Sequence, residues 1–315
     1  MKILIVGYFT ESTKTNIKGY FPNDWNVVIV PPGEEMMSHI EDCQVIIPEH
    51  IKVNHDLLSK AKNLKLVQTG AGYDNVDIDA CTQLGIWVAN AAGVNAQAVS
   101  EHVMALMLSY YKNIPYLNSF MKNRIDEKQL NYSGSELAGK TVGIIGFGAI
   151  GKKVAEFCKT FDMNVLVNTR HAIVHTDSFV KMVDFDHLIS TSDIVTVHVS
   201  LNPQTAQMID KGVFKKMKNT ALFINTARGR IVNESDLITA LKEGEISGAC
   251  LDVFESEPLP LDSELRNLNN VILTPHTAGM PDGVKLHKKR YDFFVKNIKH
   301  IKNGEEPDSK LNQVL

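Results

Sequence analysis

Gly146-Phe147-Gly148-Ala149-Ile150-Gly151 falls between an apolar run, Val142 to Ile145, and a stretch of helical spacing, Lys152 to Phe161. A G-x-G-x-x-G pattern alone is weak, because glycine-rich turns are common; a strand before it and a helix after it make it restrictive. In that setting Gly146 makes a tight turn, Gly148 lets backbone approach a pyrophosphate, and Gly151 packs the helix on the sheet. The helix amino terminus adds N–H donors and partial positive charge. The segment therefore predicts a dinucleotide site at a strand-to-helix turn of a dinucleotide-binding fold.

The rest of the chain has the pattern such a fold needs. Apolar runs of strand length recur at Ile3 to Val6, Val27 to Val30, Val45 to Ile47, Leu64 to Val67 and Ile86 to Ala89. Helix-like segments, such as Asp56 to Ala61 and Ile78 to Leu84, lie between them, and this alternation implies parallel strands covered by helices. A second series follows: Thr141 to Ile145, Asn164 to Asn168, Ile194 to Val199, Ala221 to Asn225, Ala249 to Val253 and Val271 to Leu273. These six strands fit a doubly wound dinucleotide fold, so the fold class is α/β with two doubly wound domains. A broadly apolar helix starts at Ser100 and runs through Tyr111, suiting a place between domains or subunits, with ordinary core as the alternative. A last helix, Asp282 to Lys302, offers Leu286, Phe293, Phe294, Val295, Ile298 and Ile301 as core cover.

Composition narrows the function. The 315 residues are enough for about two domains. Hydrophobic residues make up 44% and charged residues 22%, an ordinary globular balance. A net charge of −3 gives no general pull toward nucleic acid or an anionic membrane. Cys43, Cys81, Cys158 and Cys250 form no C-x-x-C pair, so no zinc site is expected and reduced, cytoplasmic thiols are. The opening apolar run is too short for a signal peptide or a membrane span. His171 and His175 have helical metal-ligand spacing but no third ligand, and no metal is expected.

An acidic residue normally follows the second strand of a dinucleotide fold and binds the adenosine ribose. Here Asn168 is followed by Thr169-Arg170-His171. An uncharged Thr beside a guanidinium accommodates a 2′-phosphate, which a carboxylate would repel. NADP(H) is therefore expected in preference to NAD(H). The alternative is an exposed Arg170, with Asn168 or Thr169 binding the ribose of NAD.

Three further signals sit where strands stop: Asn225-Thr226-Ala227-Arg228-Gly229, Leu251-Asp252-Val253-Phe254-Glu255-Ser256-Glu257-Pro258 and Thr274-Pro275-His276-Thr277-Ala278-Gly279. In doubly wound sheets ligands bind beyond the carboxyl ends of strands, so an Arg, a Glu and a His delivered there can converge. With the glycine turn, these motifs resemble the D-isomer-specific 2-hydroxyacid dehydrogenases, from the first strand to about residue 303.

The resemblance implies that Arg228 binds the carboxylate and carbonyl of a small 2-keto acid, that His276 is the acid/base, and that Glu257 pairs with it. It implies that Ala149 and Ile150 lie at the pyrophosphate, that Thr226, Ala227, Arg228, His276 and Gly279 lie along the cofactor, and that Asp252 lies near the nicotinamide amide. In Thr69-Gly70-Ala71-Gly72-Tyr73-Asp74-Asn75 it makes the amides of Ala71 and Gly72 the substrate carboxylate donors. The bland reading of that segment is a helix-entry turn capped by Asp74. Val94-Asn95 and Val99-Ser100-Glu101-His102 also match, near the hinge and cofactor. Glu49, His50, Tyr73 and Met280 are pocket candidates.

The same resemblance implies a Rossmann domain, residues 99–283, inserted into a flavodoxin-like substrate domain, residues 1–98 and 284–315, with a cleft between them. A homodimer is expected. Two rivals are a dinucleotide-sensing co-repressor, disfavoured by the complete Arg, Glu and His set, and a formate dehydrogenase, which has Gln where Glu257 stands.

Overall fold

The structure is a computed structural model, and it describes residues 1–314 apart from 50, 124, 125, 127, 129, 131, 133, 171–177 and 280–282. The chain divides into two compact units, Met1–Asn95 with Asp282–Leu315, and Ala96–Pro281.

In the first unit, β1 (Lys2–Val6), β2 (Asn26–Val30), β3 (Val45–Pro48), β4 (Leu66–Thr69) and β5 (Trp87–Asn90) form a parallel sheet in the order β2-β1-β3-β4-β5. The strands are apolar almost throughout because both faces are covered. Leu4, Val6 and Ile46 face one core, and Ile3, Ile5, Val45 and Ile47 face the other. The intervening helices are α1 (Glu11–Lys18), α2 (Glu34–Ile40), α3 (His55–Leu58) and α4 (Ile78–Gln83). Thr10, Asn54 and Asp77 cap α1, α3 and α4, each accepting a hydrogen bond from a backbone N–H of the first turn.

The second unit begins with α5 (Ala96–Tyr111) and α6 (Ile114–Lys122). Its strands are β6 (Thr141–Ile145), β7 (Asn164–Asn168), β8 (Val180–Met182), β9 (Ile194–Val197), β10 (Leu222–Asn225), β11 (Gly248–Leu251) and β12 (Val271–Leu273). Helices α7 (Ala149–Thr160), α8 (Phe185–Thr191), α9 (Lys211–Lys216) and α10 (Glu234–Glu243) cover a parallel sheet ordered β12-β11-β10-β9-β6-β7-β8. The connections reverse direction between β6 and β9.

The sequence expectation of six strands is corrected to seven. Val180-Lys181-Met182 buries only its valine, so this short edge strand has no apolar run to announce it. The broad apolar face of α5 is core: Val99, Val103, Met104, Leu106 and Met107 are buried with Val142, Ile144 and Cys250 of the same unit.

The chain returns to the first unit through α11 (Gly283–Lys302). Phe294, Ile298 and Ile301 are buried against the sheet, Phe293 and Val295 partly so, and Tyr291, absent from the sequence expectation, is 1% exposed. The segment beyond α11 runs along β5, with Leu311 N–H donating to Val88 O and Asn312 Oδ1 accepting from Val88 N–H. That covers a sheet edge.

All four cysteines are buried and unbridged. Burial pushes the thiols of Cys43, Cys81 and Cys158 up to about 12, so they stay protonated. Among the described residues no helix is long and apolar enough to cross a membrane, and no group of side chains could hold a metal ion.

Candidate active site

The glycine turn lies at the reversal point of the seven-stranded sheet. Gly146 has φ of +95°, and its N–H donates to Asn168 O at 2.8 Å. A Cβ there would sit 2.5 Å from the His198 carbonyl oxygen, so both the backbone conformation and the close approach require glycine. Gly148 caps α7 without a side chain, and a Cβ on it would meet nothing within 4 Å. Ala149 is exposed and Ile150 half-buried, while a Cβ on Gly151 would lie 2.2 Å from Gly146 O, which shows how closely α7 sits on the turn. The space beside Gly148 at the α7 amino terminus is therefore open, and the first turn carries no acidic residue.

At the end of β7, Asn168 donates its side-chain amide to Val183 O at 3.0 Å; Thr169 is half-buried and Arg170 exposed. His171 and His175 lie outside the described residues. At the end of β10, Ala227 N–H is held by Asn225 Oδ1 at 3.0 Å. Thr226 beside it is 8% exposed, and its hydroxyl oxygen is buried with no partner among the described residues. An orphaned hydroxyl and an open glycine cradle fit a dinucleotide with hydroxyl and phosphate oxygens to offer.

Arg228, Glu257 and His276 come from the loops after β10, β11 and β12. A Cβ on Gly229 would lie 1.9 Å from the Phe254 carbonyl, so the first two loops touch through backbone, bringing Arg228 beside the strand-end segment that carries Glu257. Glu257 Oε1 accepts from Phe254 N–H at 3.0 Å, and Oε2 lies 2.6 Å from His276 Nδ1. The hydrogen bond to Glu257 holds the His276 imidazole above its ordinary value, against burial and the Arg228 charge. Burial alone would raise the Glu257 carboxyl, but the bonds from His276 and Phe254, with the charges of His276 and Arg228, hold it below the usual range.

In the first unit, the loop after β4 has its carbonyls turned toward β5. Gly70 O accepts from Ala91 N–H at 2.9 Å, and Ala71 O accepts from Asn90 Nδ2 at 2.9 Å. Peptide groups are planar and trans, so the N–H groups of Ala71 and Gly72 point the opposite way, off the strand. Glu49 pairs with Arg290 of α11. Tyr73 is half-buried, and His50 and Met280 lie outside the described residues.

Residues 104–278, more than half of the chain, match the model of a family described as D-isomer specific 2-hydroxyacid dehydrogenase, NAD binding domain. The chain belongs to this family. A glyoxylate reductase of Thermococcus litoralis is 34% identical over 326 residues, covering 99% of this chain and 97% of that protein. A D-3-phosphoglycerate dehydrogenase of Archaeoglobus fulgidus is 41% identical over 252 residues, 78% of this chain; the match spans 47% of that protein, about half its length. Among solved structures, an acyclic imino acid reductase in complex with NADPH and D-Arg superposes with a TM-score of 0.86 at 28% identity, covering 99% of this chain and 100% of that one.

One feature of this dehydrogenase fold was hidden in the sequence. Asp252, expected near the nicotinamide, is 1% exposed, and its carboxylate organises the His276 loop. Oδ1 accepts from Thr274 Oγ1 at 2.6 Å and Thr277 N–H at 2.9 Å, and Oδ2 from Ala278 N–H at 2.9 Å. His276 N–H donates to Asp252 O at 2.8 Å, and His276 takes a φ of +52°. His102 Nε2 joins this network 3.1 Å from Thr274 Oγ1. The positive φ is a strained state for a non-glycine residue, and the Asp252 bonds hold it. The available signal was an Asp directly after the apolar run Ala249-Cys250-Leu251.

Proposed function

We propose that the chain reduces a small 2-keto acid to the D-2-hydroxy acid, using NADPH in preference to NADH. The observation that carries the reading is the 2.6 Å contact between His276 Nδ1 and Glu257 Oε2 in the field of Arg228. A bound reduced nicotinamide supplies the hydride to the carbonyl carbon. Negative charge then develops on the carbonyl oxygen, and Arg228 and the far nitrogen of His276 stabilise and protonate it. Glu257 fixes the ring through Nδ1 and favours the imidazolium. In the reverse direction neutral His276 accepts the alcohol proton. In the first unit, the Ala71 and Gly72 amides are the donors for the substrate carboxylate.

The reducing form is protonated His276, so reduction is retained above the ordinary imidazole pKa and falls as pH rises through the raised value. Glu257→Gln removes the largest raising cause, and the alkaline limb of kcat/KM moves to lower pH. Thr169 and Arg170, which stand directly after β7 where an acid would bind the ribose, support NADPH. Gly146, Gly148, Ala149, Ile150 and Gly151 hold the pyrophosphate, while Thr226, Ala227, Asp252 and Gly279 line the cofactor. Exposed Ile114, Tyr116 and Met121 on α6 support a homodimer, which sedimentation would detect.

The test is a panel of glyoxylate, hydroxypyruvate, pyruvate and bulkier keto acids, each with NADPH and NADH. Turnover of at least one, faster with NADPH, is expected; a consistent NADH preference overturns the Thr169-Arg170 assignment, and no turnover overturns the activity. His276→Gln lowers kcat by about 10²- to 10⁴-fold with NADPH binding unchanged.

A further inference from the structure

We propose that Arg290 is a positioning residue for the substrate carboxylate loop, and that Glu49 moderates how tightly that loop holds the anion. This rests on reading Ala71 and Gly72 as the carboxylate donors.

Arg290 belongs to α11, and its guanidinium meets three different parts of the first unit. It pairs with Glu49, just past the end of β3. It lies against Gly70, the first residue after β4: a Cβ on Gly70 would be 3.2 Å from Nη2 and 3.4 Å from Cζ. It also stacks over the Phe294 ring, 5.2 Å from its centroid. The guanidinium therefore forms a floor under the loop whose amides turn outward at Ala71 and Gly72, and any larger residue at 70 would push against it.

A buried Arg–Glu pair gives little net stability over apolar residues of the same volume, because desolvation offsets the attraction. Here the side chains are 18% and 12% exposed, and Arg290 Nε is buried with no partner among the described residues. A fully satisfied structural brace would not leave that donor unmet. His287, one turn earlier on α11, is held below the ordinary imidazole value by burial and by the Arg290 charge, so it adds no second cation. The guanidinium is thus a fixed positive charge beneath the loop, with the Glu49 carboxylate beside it. In a poorly solvated site a charge acts on a bound anion far more strongly than in water. Arg290 therefore steadies Gly70 and favours the substrate carboxylate, while Glu49 opposes that attraction and keeps the guanidinium in place.

Those roles give the two partners opposite signs, which a purely structural pair would not have. Full-length variants are assayed with glyoxylate at saturating NADPH, alongside KM for NADPH and thermal unfolding. Arg290→Met raises the glyoxylate KM about tenfold, the change produced by about 1.4 kcal/mol of lost interaction, with kcat and the NADPH KM little changed. Arg290→Lys recovers part of the loss, since it restores charge without the planar fork. Glu49→Gln keeps an acceptor for Arg290 but removes the negative charge, and it lowers the glyoxylate KM. If both partners shift KM in the same direction, or alter only the unfolding temperature, the proposal is wrong. Should Arg290→Met fail to fold, Glu49→Gln decides alone, because it preserves volume and hydrogen bond. Ala71→Pro separates the two levels: it removes one amide donor and raises the KM if the loop binds the carboxylate. An unchanged KM in that variant overturns the loop reading and the proposal together. A raised KM with no effect of Arg290→Met or Glu49→Gln overturns only the proposal.

Discussion

After β1 in the first unit and after β6 in the second, the chain leaves a parallel sheet at the strand where the connections reverse. Such a point is a ready anion site, since backbone donors and a helix amino terminus converge there. Each turn begins with glycine. In the first unit a Cβ on Gly7 would lie 2.8 Å from the Phe9 ring and 3.1 Å from Glu49 Cβ, so the chain's own side chains occupy the turn. The following helix, α1, starts at Glu11, with Thr10 already accepting from Thr13 N–H. In the second unit α7 starts within the turn at Ala149, its cap has no side chain, and the space beside Gly148 is open. The topology offers the site twice, and side chains at the helix entry decide which copy keeps its donors free.

Gly146→Ala is the strongest way to break this contrast. Alanine at φ of +95° carries strain of about 1–3 kcal/mol, and its Cβ would also press on the His198 carbonyl. The turn must shift. NADPH affinity should fall roughly 10- to 100-fold, measured by fluorescence titration, with a lower unfolding temperature. Unchanged affinity would mean that the Gly146 turn does not hold the pyrophosphate.

What was legible in the sequence follows from how local the determining contacts are. The glycine turn, its strand and its helix are contiguous, so Thr141–Ile145 and Asn164–Asn168 emerge with the expected bounds. β4 does not: the apolar run suggests Leu64 to Val67, but the strand is Leu66–Thr69 and carries buried Gln68. Gln68 is tolerated because its amide donates to Ala89 O and its oxygen accepts from Asn297 Nδ2 of α11, a partner no local pattern reveals. The run read as a strand to Val199 stops at Val197 because its partner β6 ends opposite it, at Ile145, before the Gly146 turn; His198 N–H still donates to Ile145 O. At the candidate site, the residue types and strand-end positions of Arg228, Glu257 and His276 were readable. The Gly229 contact with Phe254, the Asp252 bonds that shape the His276 loop, and the Arg290–Glu49 pair depend on distant segments and were not.

Gly148→Ala makes a smaller and cleaner change, because the added methyl meets no protein atom and the residue's φ of −78° suits alanine. Stability should stay within about 0.5 kcal/mol of the parent. In the proposed cofactor site the methyl enters the space left for the pyrophosphate, so NADPH affinity should fall about tenfold, or about 1.4 kcal/mol. Loss of affinity without loss of stability separates an open cradle from a structural turn. If stability falls and affinity does not, the space beside Gly148 is part of the fold alone.

Gly7→Ala is the counterpart in the closed turn and should have the smallest effect. Gly7 has no positive φ, and the nearest contact is the edge of an aromatic ring that can tilt, so the expected cost is about 1 kcal/mol of stability. NADPH affinity should not change, because the proposed dinucleotide turn is Gly146–Gly151 of the second unit. Its second neighbour is the Cβ of Glu49, so a modest change in the keto acid KM is consistent with Glu49 acting beside the carboxylate loop. A shift in NADPH affinity comparable to that of Gly148→Ala would instead place the first turn at the cofactor and end the distinction between an occupied turn and an open one.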